Sequence, residues 1–344
     1  MLEVFYKHRA HLQRGDKQIE VFLKEYFDEY LNDIKIAIKK KDNHYISNQF
    51  LQMLEERYHE LCMVCDEIIE VLLLYRQGAH IEAGLKAFSV FDRLEEWLII
   101  AHQGAWDKRY FYRIRCGSNY DLDRKAMYHI PLGLRNYVST ARYSMPGYPC
   151  LYLANQKELC WYECGKPSEF AIAKFEIPQQ RDDHLILIDF SEKLMPLMHS
   201  FISWYANAGE DAAEIEKIDK YFLKVIFTFP LRAACSLTVA RELRGCSFKE
   251  EYIIPQFLIQ WIAKNEIVDG VRYESNFADE DVHCLGGYNI VLVSKKFDEE
   301  GYAGNIRSRV KVGEPKSYNV GDNVADIFQT NFSRDTLSTE FEYI

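Results

Sequence analysis

Apolar residues recur at helical spacing through the first hundred positions. In residues 17–40 they fall at Ile19, Leu23, Phe27, Tyr30, Ile34 and Ile38, one face of an amphipathic helix. The basic run Lys39, Lys40 and Lys41 suits the negative end of that helix. A second stripe, Leu54, Tyr58, Leu61, Cys65, Ile68, Leu72 and Tyr75, stops before Gly78. A third carries Ile81, Leu85, Phe88, Phe91, Leu94 and Leu98. Three such helices with short connections predict an α-helical bundle over residues 1–103, with its boundary at Gln103 and Gly104.

Beyond that boundary the pattern changes to short apolar and aromatic runs bounded by turn residues, which predict strands. These runs are Arg109 to Ile114, Cys150 to Ala154, Ala171 to Ile177, Leu185 to Asp189, Val271 to Glu274 and Asn289 to Val293. Helical spacing returns near 191–263. There Ser191 reads as an N-cap for Leu194 to Tyr205, and helices follow over 212–227, 231–244 and 257–263, with Pro230 kinking or separating two of them. The last fifty residues, polar and punctuated by Gly, read as short strands or a partly disordered tail. The fold class is α+β: a helical domain, 1–103, then a mixed domain, 104–344, with a helical insertion near 191–263.

The chain of 344 residues is 48% hydrophobic and 14% aromatic, enough for real cores, and its net charge of −10 makes it a poor non-specific ligand for nucleic acid. No nucleic-acid partner is expected. No run approaches about 18 consecutive apolar residues, so no membrane span is expected, and the polar start is no signal peptide. Nine cysteines, an odd number scattered through apolar segments, suit buried thiols in a reducing cytoplasm. Cys62 with Cys65, and Cys160 with Cys164, have spacings that could ligate zinc, but both pairs lie in helical patterns, so no metal is assigned.

The stretch from Ala141 to Glu163 carries the most specific chemistry. Arg142 and Tyr143 precede a Pro/Gly turn, a short strand follows, and Asn155 with Glu158 reads as a capping box for a helix ending in Glu163. Guanidinium groups grip phosphate oxygens, and aromatic rings stack on ring-bearing ligands. The plainer reading is a strand, a turn and a helix whose Arg and Glu form a salt bridge. Arg113, after Tyr110, Phe111 and Tyr112, likewise reads as a ligand-binding residue or a cross-strand charge. Tyr143 and Tyr152 read as core aromatics or ligand contacts, Ser275 as a loop hydroxyl or a positioning group. His129 and His283 have no partner at helical spacing and read as core or surface residues. There is no GxGxxG, Walker A, HExxH or Gly-x-Ser-x-Gly motif. Arg76 and His80 are too close for the Arg–His spacing of helical ribonucleases, so no ribonuclease activity is assigned.

Read in order, Phe111-Tyr112-Arg113, Ala141-Arg142-Tyr143, Leu151-Tyr152, Glu163 and Asp269-Gly270-Val271-Arg272-Tyr273-Glu274-Ser275 resemble the RES domain family, named for an Arg, a Glu and a Ser. The resemblance covers roughly residues 110–293. It departs at Ala141, where the family usually has Gly, and in the long gap between Glu163 and Ser275. It implies a bent β core of two small sheets similar to ADP-ribosyltransferases, with helices around it. It also implies NAD as substrate rather than cofactor, and cleavage of the nicotinamide–ribose bond by hydrolysis or phosphorolysis, as in toxins of toxin–antitoxin systems. On this reading Glu163, Tyr152 and Ser275 are catalytic, and Arg113, Arg142 and Tyr143 bind substrate. The N-terminal helices would serve a regulatory protein partner. Transfer of ADP-ribose to a macromolecule, or a non-catalytic interaction role, are the alternatives.

Overall fold

The computed structural model describes residues 2–8, 12–40, 46–99, 109–117, 123–178, 185–275, 286–321, 332 and 336–344. In chain order its helices are α1 (Leu2–Lys7), α2 (Ile19–Lys39), α3 (Asn48–Arg76), α4 (His80–Ile99), α5 (Lys157–Glu163), α6 (Leu194–Ala208), α7 (Ala212–Cys235), α8 (Ile253–Lys264) and α9 (Gly304–Arg307). Its strands are β1 (Tyr110–Cys116), β2 (Cys150–Ala154), β3 (Glu169–Glu176), β4 (Leu187–Phe190), β5 (Gly270–Glu274), β6 (Tyr288–Val293), β7 (Lys311–Gly313), β8 (Lys316–Asn319) and β9 (Phe341–Glu342). The fold is α+β. The chain divides into two compact units, Met1–His102 with Glu192–Trp261, and Gln103–Ser191 with Ile262–Ile344. The boundary expected at Gln103 and Gly104 lies outside the described residues.

The first unit is built around α7. Every residue from Tyr221 to Cys235 is buried, the polar stripe Lys224, Thr228 and Arg232 included, so this largely apolar helix must be surrounded by others. Phe222 stacks on Phe50 of α3 at 4.7 Å and on Phe201 of α6 at 4.3 Å. Phe229 meets Tyr30 of α2 at 4.7 Å, and Phe227 stacks on Trp97 of α4 at 5.5 Å. Buried Asp219 accepts hydrogen bonds from Ser47 at 2.8 Å and Tyr205 at 2.6 Å. Ser47 also caps α3 by accepting from the Phe50 amide at 2.9 Å. The helical segment read as an insertion into a 104–344 domain therefore packs with the N-terminal helices. The physical reason is that α2, α3 and α4 supply the apolar faces that α7 needs.

Two local expectations change here. Pro230 does not end a helix, because α7 runs through it. A proline lacks the N–H that would bond the carbonyl four residues back. The Tyr30 hydroxyl donates to that carbonyl, Ile226 O, at 3.0 Å. Ser191 is not an N-cap: Lys193 holds that position in α6, and Ser191 bonds Asp189 through its amide and its hydroxyl, each at 2.7 Å.

The second unit is a sheet in the order β4-β5-β6-β2-β1-β3-β7-β9, with β8 also on β3. Among the described residues only β4 and β5 run parallel; the other pairs are antiparallel. Alternation sends Phe111, Leu151, Leu153, Ala173, Phe175, Ile290 and Leu292 into one core. Ile114, Ala154, Phe170 and Ile172 face the other way, against Leu159 and Trp161 of α5, as a period of two requires. Gly270 is needed where β5 meets β6, because a Cβ there would lie 2.0 Å from Val291 O. The two small sheets implied by the resemblance are one hydrogen-bonded path here. Its halves are joined by a single residue pair between β1 and β2, Tyr112 with Ala154. The polar C-terminal stretch supplies β7, β8 and β9 to this sheet.

If α7 completes the helical core, residues 1–103 expressed alone will show helical circular dichroism but no cooperative thermal transition. A sharp two-state melt of that fragment would assign α7 a dispensable role.

Candidate functional site

Past Tyr112 and Ala154, β1 and β2 part. The gap between them is a cavity of about 230 Å³ lined by Arg113, Arg115, Cys150, Tyr152, Ser139 and Ala141 among others. Arg115 is anchored, donating to Ala126 O at 3.2 Å and Tyr128 O at 2.9 Å. Arg113 is different: its buried Nη1 has no hydrogen-bond partner among the described residues. Burial first, and then the neighbouring Arg115 charge, pull its pKa down to about 9. It therefore stays cationic at neutral pH, and a buried donor left unmade is costly.

A carboxylate lies outside this lining but within electrostatic reach of it, since Glu163 and the cavity residue Tyr152 both act on Tyr273. Glu163 is the last residue of α5, and its Oε1 accepts from Asn289 Nδ2 at 2.9 Å. Ser275, just past β5 and buried, also hydrogen-bonds it, and the Arg142 charge acts on it. Desolvation by the surrounding protein raises its pKa, against the pull of Ser275, Asn289 and Arg142. The residue as a whole is exposed. The carboxyl group is thus crowded by protein while water still reaches the side chain, which moderates the shift.

Arg142 and Tyr143 occupy the tip of a tight turn, because Ala141 and Ser144 exchange backbone hydrogen bonds at 3.1 and 3.2 Å. Tyr143 is buried and packs on Tyr273 of β5 at 4.7 Å. Burial, together with the charge of Glu163, lifts the Tyr273 hydroxyl well above its ordinary range, so it stays protonated. Glu163, Ser275, Arg142 and Tyr143 thus converge, with Arg113 and Tyr152 on the adjoining cavity wall.

Other expectations resolve differently. Asn155 is not the N-cap of α5: Gln156 is, without a side-chain bond. Asn155 instead extends the β2–β6 ladder, its amide donating to Tyr288 O at 3.0 Å and its Oδ1 accepting from Tyr288 N at 2.8 Å. Asp269 holds the start of β5 through a bidentate pair with Arg309 and a bond from the Ile186 amide at 3.0 Å. Among the described residues no group of three or more His, Cys, Asp or Glu side chains could hold a metal ion. His129 is a core residue, and His283 lies outside the described residues. Asn289 is the site residue the sequence reading missed. Its only signal was a place in a strand, since its partner lies 126 positions away.

The chain is 25% identical over 316 residues to "Putative toxin YopC" of Bacillus subtilis (strain 168), an alignment covering 88% of this chain and 67% of that protein. No protein-family model and no solved structure matches it. No helix among the described residues is long and apolar enough to cross a membrane.

Two titrations test this geometry. Asn289 and Ser275 donate to the ionised form of Glu163, so Asn289→Leu or Ser275→Ala should raise its pKa further. Carboxyl ¹³C shifts of labelled protein read that directly, and an unchanged titration would remove these bonds from the site. His129 donates from Nδ1 to Ile130 O at 2.8 Å and accepts from the Ala303 amide at 2.9 Å through Nε2. Burial holds its pKa down, from 6.5 to about 4. The unfolded chain binds this proton first, so stability is full above pH 6.5 and falls as pH drops towards 4, by up to about 3 kcal/mol. Denaturant unfolding of His129→Asn across that window should show a shallower slope.

Proposed function

We propose that the second unit binds NAD and breaks the bond between nicotinamide and C1′ of its ribose, as a toxin-type effector. The observation that carries this is the Glu163 carboxylate, held by Ser275 and Asn289 beside Arg142 and next to a cavity containing the unpartnered Arg113 Nη1. Cleavage of an N-glycosidic bond passes through an oxocarbenium-like state, as glycoside hydrolysis does. A fixed carboxylate stabilises that positive charge and can orient the attacking water or phosphate. Guanidinium groups match the diphosphate, and the ring of Tyr152, a cavity-lining residue, would face the cationic pyridinium. With water as acceptor, the products are ADP-ribose, nicotinamide and a proton. Similarity to a protein named as a toxin supports the effector class, and the helical unit is the proposed seat of a regulatory partner.

Nicotinamide release from NAD, with and without phosphate, tests the reading. Glu163→Gln keeps the shape and loses the charge, so kcat should fall by about 10²-fold or more. Arg142→Lys keeps the charge and loses the planar fork, so KM should rise with a smaller effect on kcat. Unchanged turnover by Glu163→Gln would make the carboxylate structural. Label from NAD retained on a macromolecule would assign transfer instead. A parent protein that releases no nicotinamide under any of these conditions would make the pocket non-catalytic.

A further inference from the structure

Among the described cysteines, two environments stand out. Cys65, Cys150 and Cys160 are buried, and burial pushes their thiols up, which leaves them inert. Cys116 and Cys164 are exposed and their side chains act on each other, where α5 packs on β1 and Cys160 Sγ donates to Tyr112 O at 3.0 Å. The backbone brings them together. Cys116 is the last residue of β1, and Cys164 follows Glu163 as the C-cap of α5. The chain then turns back through two left-handed residues, Gly165 and Lys166, into β3, where Phe170 sits opposite Cys116.

We propose that Cys116 and Cys164 form a reversible disulfide, an oxidative modification site on the rim of the Glu163 cleft. Cys116 is the attacking thiol. It sits next to Arg115, and its contact with Cys164 and the Arg115 charge draw it down, while that contact pushes Cys164 up. A low-pKa, accessible thiol beside a second thiol is the arrangement of redox-sensing pairs. With hydrogen peroxide as oxidant, the Cys116 thiolate attacks one oxygen. The O–O bond breaks, leaving Cys116 as a sulfenic acid and releasing water once the leaving hydroxide is protonated. The Cys164 sulfur then attacks the sulfenic sulfur, the S–O bond breaks, and a second water leaves. Two thiols are oxidised by two electrons and one peroxide is reduced to two waters. A dithiol reductant reverses the link by exchange. The bond would tether the end of α5, which carries Glu163, to the end of β1, which carries Arg113.

The test reads mass and does not depend on NAD turnover, so it stands or falls apart from the proposed activity. The full-length reduced protein is treated with hydrogen peroxide, its remaining thiols are alkylated, and it is digested without reductant. The expected product is a cross-linked peptide pair joining Cys116 to Cys164, with an intact mass lower by two hydrogens, restored by dithiothreitol. In Cys164→Ser, Cys116 should stop at a sulfenic acid trapped by dimedone. In Cys116→Ser, Cys164 should stay reduced. Absence of the Cys116–Cys164 link in the oxidised parent overturns the proposal, whether the thiols stay free or pair elsewhere.

Discussion

A single backbone pairing, Tyr112 with Ala154, joins the two halves of the sheet. On one side β2 is paired along its whole length with β6, and on the other β1 is paired along its whole length with β3. Each strand is therefore held firmly by its outer neighbour and is free to leave its inner one. Their parting opens the cavity, where the buried Arg113 Nη1 meets no partner among the described residues. Closing the ladder instead would fill that space with backbone and remove any room for a ligand.

The carboxylate beside the cavity is held by elements far apart in the chain. Glu163 sits at the end of α5, Ser275 past the end of β5 and Asn289 near the start of β6. The β5–β6 ladder puts the last two on the same face, since Tyr273 is opposite Asn289 and Ser275 lies two residues on. The close approach at Gly270 and the Asp269–Arg309 pair fix where β5 begins. Asn289 within a strand and Ser275 at the end of one hold Glu163 from the sheet side, an arrangement that suits preorganised electrostatics.

Local chemistry made much of this legible. The helical stripes of α2, α3 and α4 and the run Cys150–Ala154 appear in the structure close to where periodicity placed them, because burial of one face imposes its period on the residues themselves. The order of Arg113, Arg142, Tyr152, Glu163 and Ser275 marked a candidate site; the structure sets Ser275 and Arg142 to act on Glu163 and puts Arg113 and Tyr152 on one cavity wall. Caps were less legible. Asn155 had the right residue type for an N-cap, but the β2–β6 ladder uses it.

The sequence by itself determined most helical and strand segments and the α+β class, since each depends on neighbours within a few positions. Only the tertiary structure decided that Glu192–Trp261 folds with the first helices, that α7 passes through Pro230, and that Asn289 meets Glu163. Those outcomes depend on partners far along the chain: the apolar faces that surround α7, the Tyr30 hydroxyl that takes the carbonyl a proline leaves open, and a strand register that sets one amide opposite one carboxylate. A one-dimensional pattern records what a residue can offer, and packing in three dimensions selects which partner receives it.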